Sequence, residues 1–525
     1  MNEQKRPGWW RWIVLGLFLV VGAGAIVLVQ RNDDLEENMR GMLSHGIGAV
    51  TFLLSFLWTL IFVVPTWKWR VALGITPLLL GAIAYNLLKP TGSDGNGALQ
   101  FVWRWEKATG ESIEKIQIVA PKGVVPAPEG AADFLRFLGN TGLNRVDGVT
   151  LGGDWKTTPP REVWRREVGP AWTGFVVSGG LALTQEQRGP EELVVAYELA
   201  TGNPVWSHAR SVRFVEFQGG DGPRATPTII GDKVFVMGAT GWLACHELLT
   251  GALLWETDVL SDPKAKNPTW AKSCSPLFIP AKIIPGQGEV DRIIVTGGEA
   301  PGPTLLAYDA KTGKKLWQAG TDGASYATPV LAKLIGRDLI LSVNATSVTV
   351  NDIASGKILG SHPWPGMFPK CSDPMVVSGD KILITAGYQM GDHLLQAKAQ
   401  DDSIQLDLVW SGKGIRTGFS NCVIRDNAAY GIDDNILAAI DLKDGKRLWK
   451  SERVGSGQVL AVGDLLLVQT EPGPILLVEV SPAGSKVLGK LKGLDGKTWT
   501  NLCLAGKWLL ARNDREAVCY ELPVK

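Results

Sequence analysis

An eleven-residue phrase that recurs four times without a gap constrains this chain more than any other feature. The copies are AYELATGNPVW (196–206), CHELLTGALLW (245–255), AYDAKTGKKLW (307–317) and AIDLKDGKRLW (439–449). Each has a small residue first, an acid at position three, Gly at seven and Trp at eleven. Degenerate copies follow at VNDIASGKILG (350–360), at Val409–Trp410, around Gly484 and at the C-terminal CYEL (519–522). Thr-Gly or Asp-Gly supplies a tight turn, so each phrase reads as strand, turn, strand. A second hairpin precedes most phrases, as in ATPTIIGDKVFVMG (225–238), SDPMVVSGDKILITAG (372–387), GQVLAVGDLLLVQ (457–469) and LCLAGKWLLAR (502–512). Four strands in a unit of roughly 40–60 residues, repeated, predict a β-propeller.

The glycine frame sets the blade number. Glycines stand at 202, 251, 313, 356, 445 and 484, one is lost near 405, and CYEL begins the last copy. The count predicts an all-β, eight-bladed propeller over 154–525. The eighth phrase stops before its tryptophan-bearing outer strand, whereas REVWRREV (161–168) is an outer strand with no blade before it. Strand 161–168 is therefore expected to pair with the C-terminal blade and close the ring.

The first ninety residues are of another material. Uncharged runs cover Trp12–Val29, Gly46–Val64 and Val71–Leu88, each long enough for the ~30 Å hydrocarbon core. Trp9, Trp10, Trp12, Trp67 and Trp69 stand at their ends, where the membrane interface favours indoles. Residues 1–90 thus read as a membrane domain of three transmembrane helices. The first reads as an uncleaved anchor, with a secretory signal as the alternative, since Lys5, Arg6 and Arg11 precede it and Gly22–Ala25 are small. Lys5, Arg6, Arg11, Lys68 and Arg70 mark the inside. The first connection carries Arg31 and Arg40 offset by Asp33, Asp34, Glu36 and Glu37, and Lys89, Arg104 and Lys107 follow the last span. The expected location is the cytoplasmic (inner) membrane, with the propeller on the periplasmic or other extracytoplasmic side. Residues 91–153 read as a linker and lead-in segment, beginning with the flexible composition of KPTGSDGNG (89–97).

Several function classes drop out. With 53 basic against 52 acidic residues there is no basic excess for nucleic acid. No two of Cys245, Cys274, Cys371, Cys422, Cys503 and Cys519 are spaced C-x-x-C, and the five histidines form no H-x-x-x-H pair, which excludes a zinc site of familiar local spacing. There is no Walker loop, G-x-S-x-G or G-x-G-x-x-G.

The phrase A-x-D-x-x-T-G-x-x-x-W resembles the tryptophan-docking repeat of the quinoprotein (PQQ-repeat) β-propellers. Residues 133–525 also resemble membrane-anchored bacterial, planctomycete-type, PQQ-binding-like or BamB-like repeat proteins. The likeness is carried by DFLRFLGNTGLNRVDG, GFVVSGGLALTQEQRGPEELVVAYELATG, GPRATPTI and GKTWTNLCLAGKWLLARNDREAVCYELP. The resemblance implies docking of Trp164, Trp206, Trp255, Trp317 and Trp449 onto neighbouring blades. It also implies two possible functions. One is a non-catalytic, membrane-tethered scaffold with the lipid bilayer and other envelope proteins as partners. The other is a PQQ-dependent membrane alcohol or sugar dehydrogenase with PQQ and calcium in the central channel. Alcohol-oxidising quinoproteins typically carry adjacent cysteines and a metal set with a catalytic Asp. No cysteines are adjacent here and no such set can be placed, so the scaffold, without catalytic residues, metal or cofactor, is the first reading.

Trp172, Trp270, Tyr326, Phe419 and Trp499 recur at the starts of inner strands and could ring one channel mouth, stacking on a planar or peptide ligand. Blade-to-blade packing explains them as well. Cys274, Cys371, Cys422 and Cys503 read as small thiols near the axis, with a disulfide as the alternative. Arg188, Arg224, Arg512 and Arg515, in or beside turns, could converge on an anion or serve as surface ion pairs.

Overall fold

A β-bulge sets the geometry of every blade. In each of the eight blades, the register between third and outer strand slips at the outer-strand residue immediately before the docking position, which is Trp206, Trp255, Trp317, Gly360, Trp410, Trp449, Gly489 or Trp164. A bulge bends and twists the outer strand, which turns the tryptophans among these residues toward the following blade. The structure is a computed structural model that describes residues 8–32, 35–106, 116, 124–261, 264–284, 290–366 and 368–525. Lys5, Arg6, Asp33, Asp34 and Lys107, used above for orientation, lie outside the described residues. The chain forms two units, residues 1–107 with 217–219, and residues 108–216 with 220–525.

The larger unit is an eight-bladed propeller. Seven blades are consecutive hairpin pairs, starting with inner strands at Val176, Thr228, Leu277, Val330, Met375, Val423 and Gln458. The eighth combines Cys503–Ala505, Trp508–Arg512 and Glu516–Glu521 with Arg161–Glu167 as its outer strand, in antiparallel register with Trp164 opposite Cys519. The apolar core lies between blades, and its largest cluster joins blades 7, 8 and 1 around Trp155, Trp164, Leu467, Leu510 and Tyr197.

Docking follows one rule. The indole Nε1 of five of the six outer-strand tryptophans donates to a carbonyl of the next blade: Trp164 to Leu199 (2.8 Å), Trp206 to Leu248 (3.0 Å), Trp255 to Ala310 (3.1 Å), Trp410 to Leu442 (3.0 Å) and Trp449 to Ser481 (2.9 Å). Trp317 also sets its ring over the next blade, at Gly356, but its Nε1 makes no hydrogen bond among the described residues. Gly202 shows why the phrase carries glycine: its φ is +71°, and a β-carbon there would stand 2.7 Å from the Trp164 ring. Two blades lack the tryptophan, for different reasons. At Gly360 a β-carbon would strike the Ile404 carbonyl, because blade 5 has ten-residue outer strands that close directly on blade 4. At Gly489 the space is filled by Trp155, whose ring would stand 2.7 Å from a β-carbon there.

The lead-in segment crosses the propeller. The Glu129 and Gly130 carbonyls accept from Trp508 Nε1 and the Lys507 amide in blade 8. Phe134 exchanges backbone hydrogen bonds with Val177 in blade 1, and the Leu135 carbonyl accepts from Ile229 in blade 2. Asn144 Nδ2 then donates to the Asn421 carbonyl (3.3 Å) in blade 6, and Arg145–Val146 pairs in parallel with Ala461–Val462 in blade 7. Inner strands have one edge facing the axis, so a chain bonded to these edges in blades 1, 2, 6 and 7 runs across the central channel.

The smaller unit contains α1 (Trp10–Gln30), α2 (Glu37–Trp58) and α3 (Trp67–Leu87). A π-turn over Thr59–Val63 prolongs α2, and all three helices are long and apolar enough to cross a membrane. Arg11 Nη1 donates to the Phe62 carbonyl and Trp58 Nε1 to the Arg11 carbonyl, which ties the start of α1 to the end of α2. The expected flexible linker at 89–97 is instead most of a hairpin, Leu88–Ser93 against Leu99–Trp103. Its turn is fixed by Asp94 Oδ1, which accepts from the Asn96 and Ala98 amides at 2.9 Å. Asp and Gly composition there reflects turn chemistry rather than disorder.

Candidate functional site: the channel mouth

In blades 2 to 6 the residue two before the inner strand contributes to a polar girdle beside the axis. The Gly174 amide donates to Thr226 Oγ1 (3.2 Å), Thr226 to Ser275 Oγ (3.0 Å), Ser275 to Thr328 Oγ1 (3.1 Å), Thr328 to Asp373 Oδ1 (2.7 Å) and Asp373 to Asn421 Oδ1 (2.7 Å). Gln458 Nε2 continues the series by donating to the Phe419 and Trp499 carbonyls, at 2.9 and 2.8 Å. Blades 2 to 6 thus each hand a side-chain acceptor to the preceding blade, which satisfies amides that the sheets leave unpaired. Sequence reasoning missed this girdle, although its signal is present: a small polar residue before proline at Thr226-Pro227, Ser275-Pro276, Thr328-Pro329 and Asp373-Pro374.

The five aromatic candidates lie beside the girdle in two groups. Trp499 packs against Trp172 and Phe419 with ring centroids 4.9 Å apart in both pairs, and Lys497 Nζ lies 4.3 Å from the Trp499 ring centre. Trp499 Nε1 donates to Glu471 Oε1 (2.9 Å). Trp270 meets Tyr326 edge-on at 5.7 Å, and its amide donates to the Tyr326 hydroxyl (3.3 Å). Four of the five stand four residues before their inner strands, and Trp270 stands seven before Leu277.

The arginines correct a sequence expectation. Arg512 is neither at the surface nor in a turn: it ends the second strand of blade 8 and is fully buried. Its guanidinium donates to Thr184 Oγ1, to the Gln185 carbonyl (2.7 Å) and to the Gly169 carbonyl (2.5 Å), bridging blades 8 and 1. Arg188 pairs with the buried Glu186 at 3.0 Å, and Glu186 also accepts from the Tyr197 hydroxyl and the Gly169 amide. Arg188 and Arg512 do converge on an anion, but it is the protein's own carboxylate. Arg224 donates to the Gly220 carbonyl, and Arg515 lies 3.8 Å from Asp514. All six cysteines are free, five of them buried; Cys371 precedes its inner strand by four residues.

Between the crossing segment and blades 4 and 5 lies a cavity of about 220 Å³, lined by Leu138, Leu143, Asn144, Leu331, Asp373 and Met375 among others. Burial pushes the Asp373 carboxyl up to about 8, against hydrogen bonding from Thr328 and the field of Arg136. An acid whose folded value lies above its unfolded one holds a proton that the unfolded chain releases. Its contribution to stability therefore falls as pH rises from about 4 to about 8. Asp373→Asn keeps an oxygen for Thr328, so its melting temperature is expected to fall less steeply over that window than the wild type's. Parallel melting curves at pH 5, 6, 7 and 8 would show that Asp373 is ionised in the fold.

Blade order, girdle and indole docking together define a PQQ-repeat β-propeller. The family model described as outer membrane protein assembly factor BamB matches residues 154–278 and 190–451, more than half of the chain, and the chain belongs to that family. The outer membrane protein assembly factor BamB of Bordetella pertussis is 23% identical over 353 residues, 56% of this chain and 85% of its own. BamB from Moraxella catarrhalis superposes with a TM-score of 0.50 at 15% identity, covering 69% of this chain and 100% of that one. A europium-containing methanol dehydrogenase gives 0.52 at 12% identity, covering 72% and 89%. These structural likenesses establish the fold.

Proposed function

We propose that this chain is a membrane-tethered, extracytoplasmic scaffold that binds other envelope proteins and catalyses no reaction. The observation that carries this reading is the occupied channel. Residues 134–146 cross it by bonding to the inner edges of blades 1, 2, 6 and 7, in the space where the dehydrogenase reading would put PQQ. Trp172, Trp499 and Phe419 have their rings engaged with one another, and among the described residues no three His, Cys, Asp or Glu side chains converge as a metal site. Surface suited to proteins lies on the rim instead. The residue before four of the outer-strand tryptophans exposes an apolar side chain, at Leu254, Leu316, Val409 and Leu448, whereas Val205 is buried, and such strands offer edges and side-chain pockets to extended partners.

The test combines binding and topology. Calorimetric titration of the intact protein with PQQ and Ca²⁺ should be flat, and alkaline phosphatase fused at the C-terminus should be active. A photo-crosslinker at Leu448 in native membranes should capture a discrete envelope protein. Submicromolar PQQ binding with dye-linked oxidation of alcohols or sugars would replace the scaffold reading by the dehydrogenase one.

A further inference from the structure

The hairpin after α3 has an amphipathic design. Pairing puts Trp103 beside Leu88 and Phe101 beside Pro90 on one face, with Val102 and Lys89 on the other. Leu99, Phe101, Trp103 and Trp105 are exposed at 56, 54, 50 and 68%. Trp103 and Trp105 stack at 5.0 Å and 10°. In water such a comb of aromatic side chains would be an unfavourable surface.

Its position along the helices supplies the occupant. The hairpin starts at Leu88, directly after α3 ends at Leu87. Its far turn reaches the beginning of α2: a β-carbon on Gly41 would lie 3.4 Å from the Asn96 carbonyl, and one on Gly97 3.9 Å from Met42 Cγ. α2 with its π-turn runs 27 residues, Glu37–Val63, whereas about 20 cross the hydrocarbon. The residues before Gly46 thus project into the headgroup layer when the uncharged run from Gly46 fills the core. Base and tip of the hairpin are then both held at the depth of the membrane boundary, so the hairpin lies along that boundary. Cations flank it: the Arg104 guanidinium sits 4.7 Å over the Tyr85 ring and donates to the Tyr85 carbonyl, and Lys89 Nζ donates to the Glu106 carbonyl.

We infer that hairpin Leu88–Trp103 is an interfacial anchor, inserting Leu99, Phe101, Trp103 and Trp105 among the acyl-chain ends of the bilayer that α3 crosses, with Lys89 and Arg104 at the lipid phosphates. This rests on the reading that α3 spans the membrane. Indoles and mixed aromatic–cationic surfaces favour that layer. The anchor would hold the chain leaving the membrane flat against the bilayer instead of on a free tether.

Spin labelling tests it on the full chain in phosphatidylcholine–phosphatidylglycerol vesicles. Nitroxides are placed at Phe101→Cys and Leu99→Cys, at Gln100→Cys on the other face, at Leu79→Cys inside α3 and at Lys486→Cys as an aqueous reference. The ratio of oxygen to nickel-chelate collisions should be severalfold higher at 99 and 101 than at 100 and 486, and lower than at 79. Nickel access at 101 equal to that at 486 overturns the anchor while leaving α3 in the bilayer. Shielding of 101 from both reagents also overturns it, since a protein surface would then cover the face. Nickel access at 79 overturns both the anchor and the spanning reading.

Discussion

Trp164→Ala should destabilise the propeller by about 3–5 kcal/mol, the cost of truncating a buried aromatic side chain. Trp164 is 8% exposed, donates to the Leu199 carbonyl, and fills the space over Gly202. Its strand, Arg161–Glu167, joins the last blade across a sequence separation of more than 300 residues. Deleting 155–170 should have the larger effect. It removes the outer strand of blade 8 and also Trp155, which stands over Gly489 in blade 7. The edge Glu516–Glu521 would lose its partner, and an open sheet edge is an aggregation hazard. The expected product is insoluble protein or a ring cut readily by protease. Denaturant melts of Trp164→Ala beside Trp206→Ala supply the comparison. A chain starting at residue 171 that folds with unchanged melting temperature would refute closure as the source of the ring's stability.

Arg512→Met should cost on the order of 3 kcal/mol, because a buried polar group left without its partner costs about 1–3 kcal/mol and Arg512 serves several. Thr184, Gln185 and Gly169 all lose a charged donor, and Glu186 loses one of two nearby cations. Arg512→Lys should rescue little, since one ammonium cannot span acceptors set for a planar fork. A double-mutant cycle with Glu186→Gln should give a coupling of about 0.5–3 kcal/mol. Strict additivity would mean that Arg512 acts only through its carbonyl contacts.

Much of the propeller was legible because its information is local. The Gly at position seven and the Trp at position eleven of the phrase report a turn and a docking side chain within one hairpin, and repetition made them countable. Trp410 was legible only as a fragment, since blade 5 turns at Asp401–Asp402 and extends both its outer strands to ten residues. The girdle was written as Thr-Pro, Ser-Pro and Asp-Pro, yet each is an ordinary strand-start dipeptide until its neighbour on the adjacent blade is known. At the channel mouth, the sequence put Trp172, Trp499 and Phe419 on three separate blades; only the fold shows that their rings meet.

By itself the sequence determined the repeating unit, the number of blades, the three apolar helices and the unmatched strand at 161–168, since each depends on periodicity or on residues close in the chain. Tertiary structure alone decided that residues 134–146 cross the channel, that Trp155 takes the place of a missing indole at Gly489, and that Arg512 is buried between the first and last blades. Apart from Asn144 Nδ2 at blade 6, the crossing segment bonds through its backbone to inner strand edges, and backbone hydrogen bonding is common to every residue but proline, so no repeated side-chain pattern encodes it. Trp155 and Arg512 depend on which surfaces the closed ring brings together, and that proximity arises only when strands more than 300 residues apart have paired.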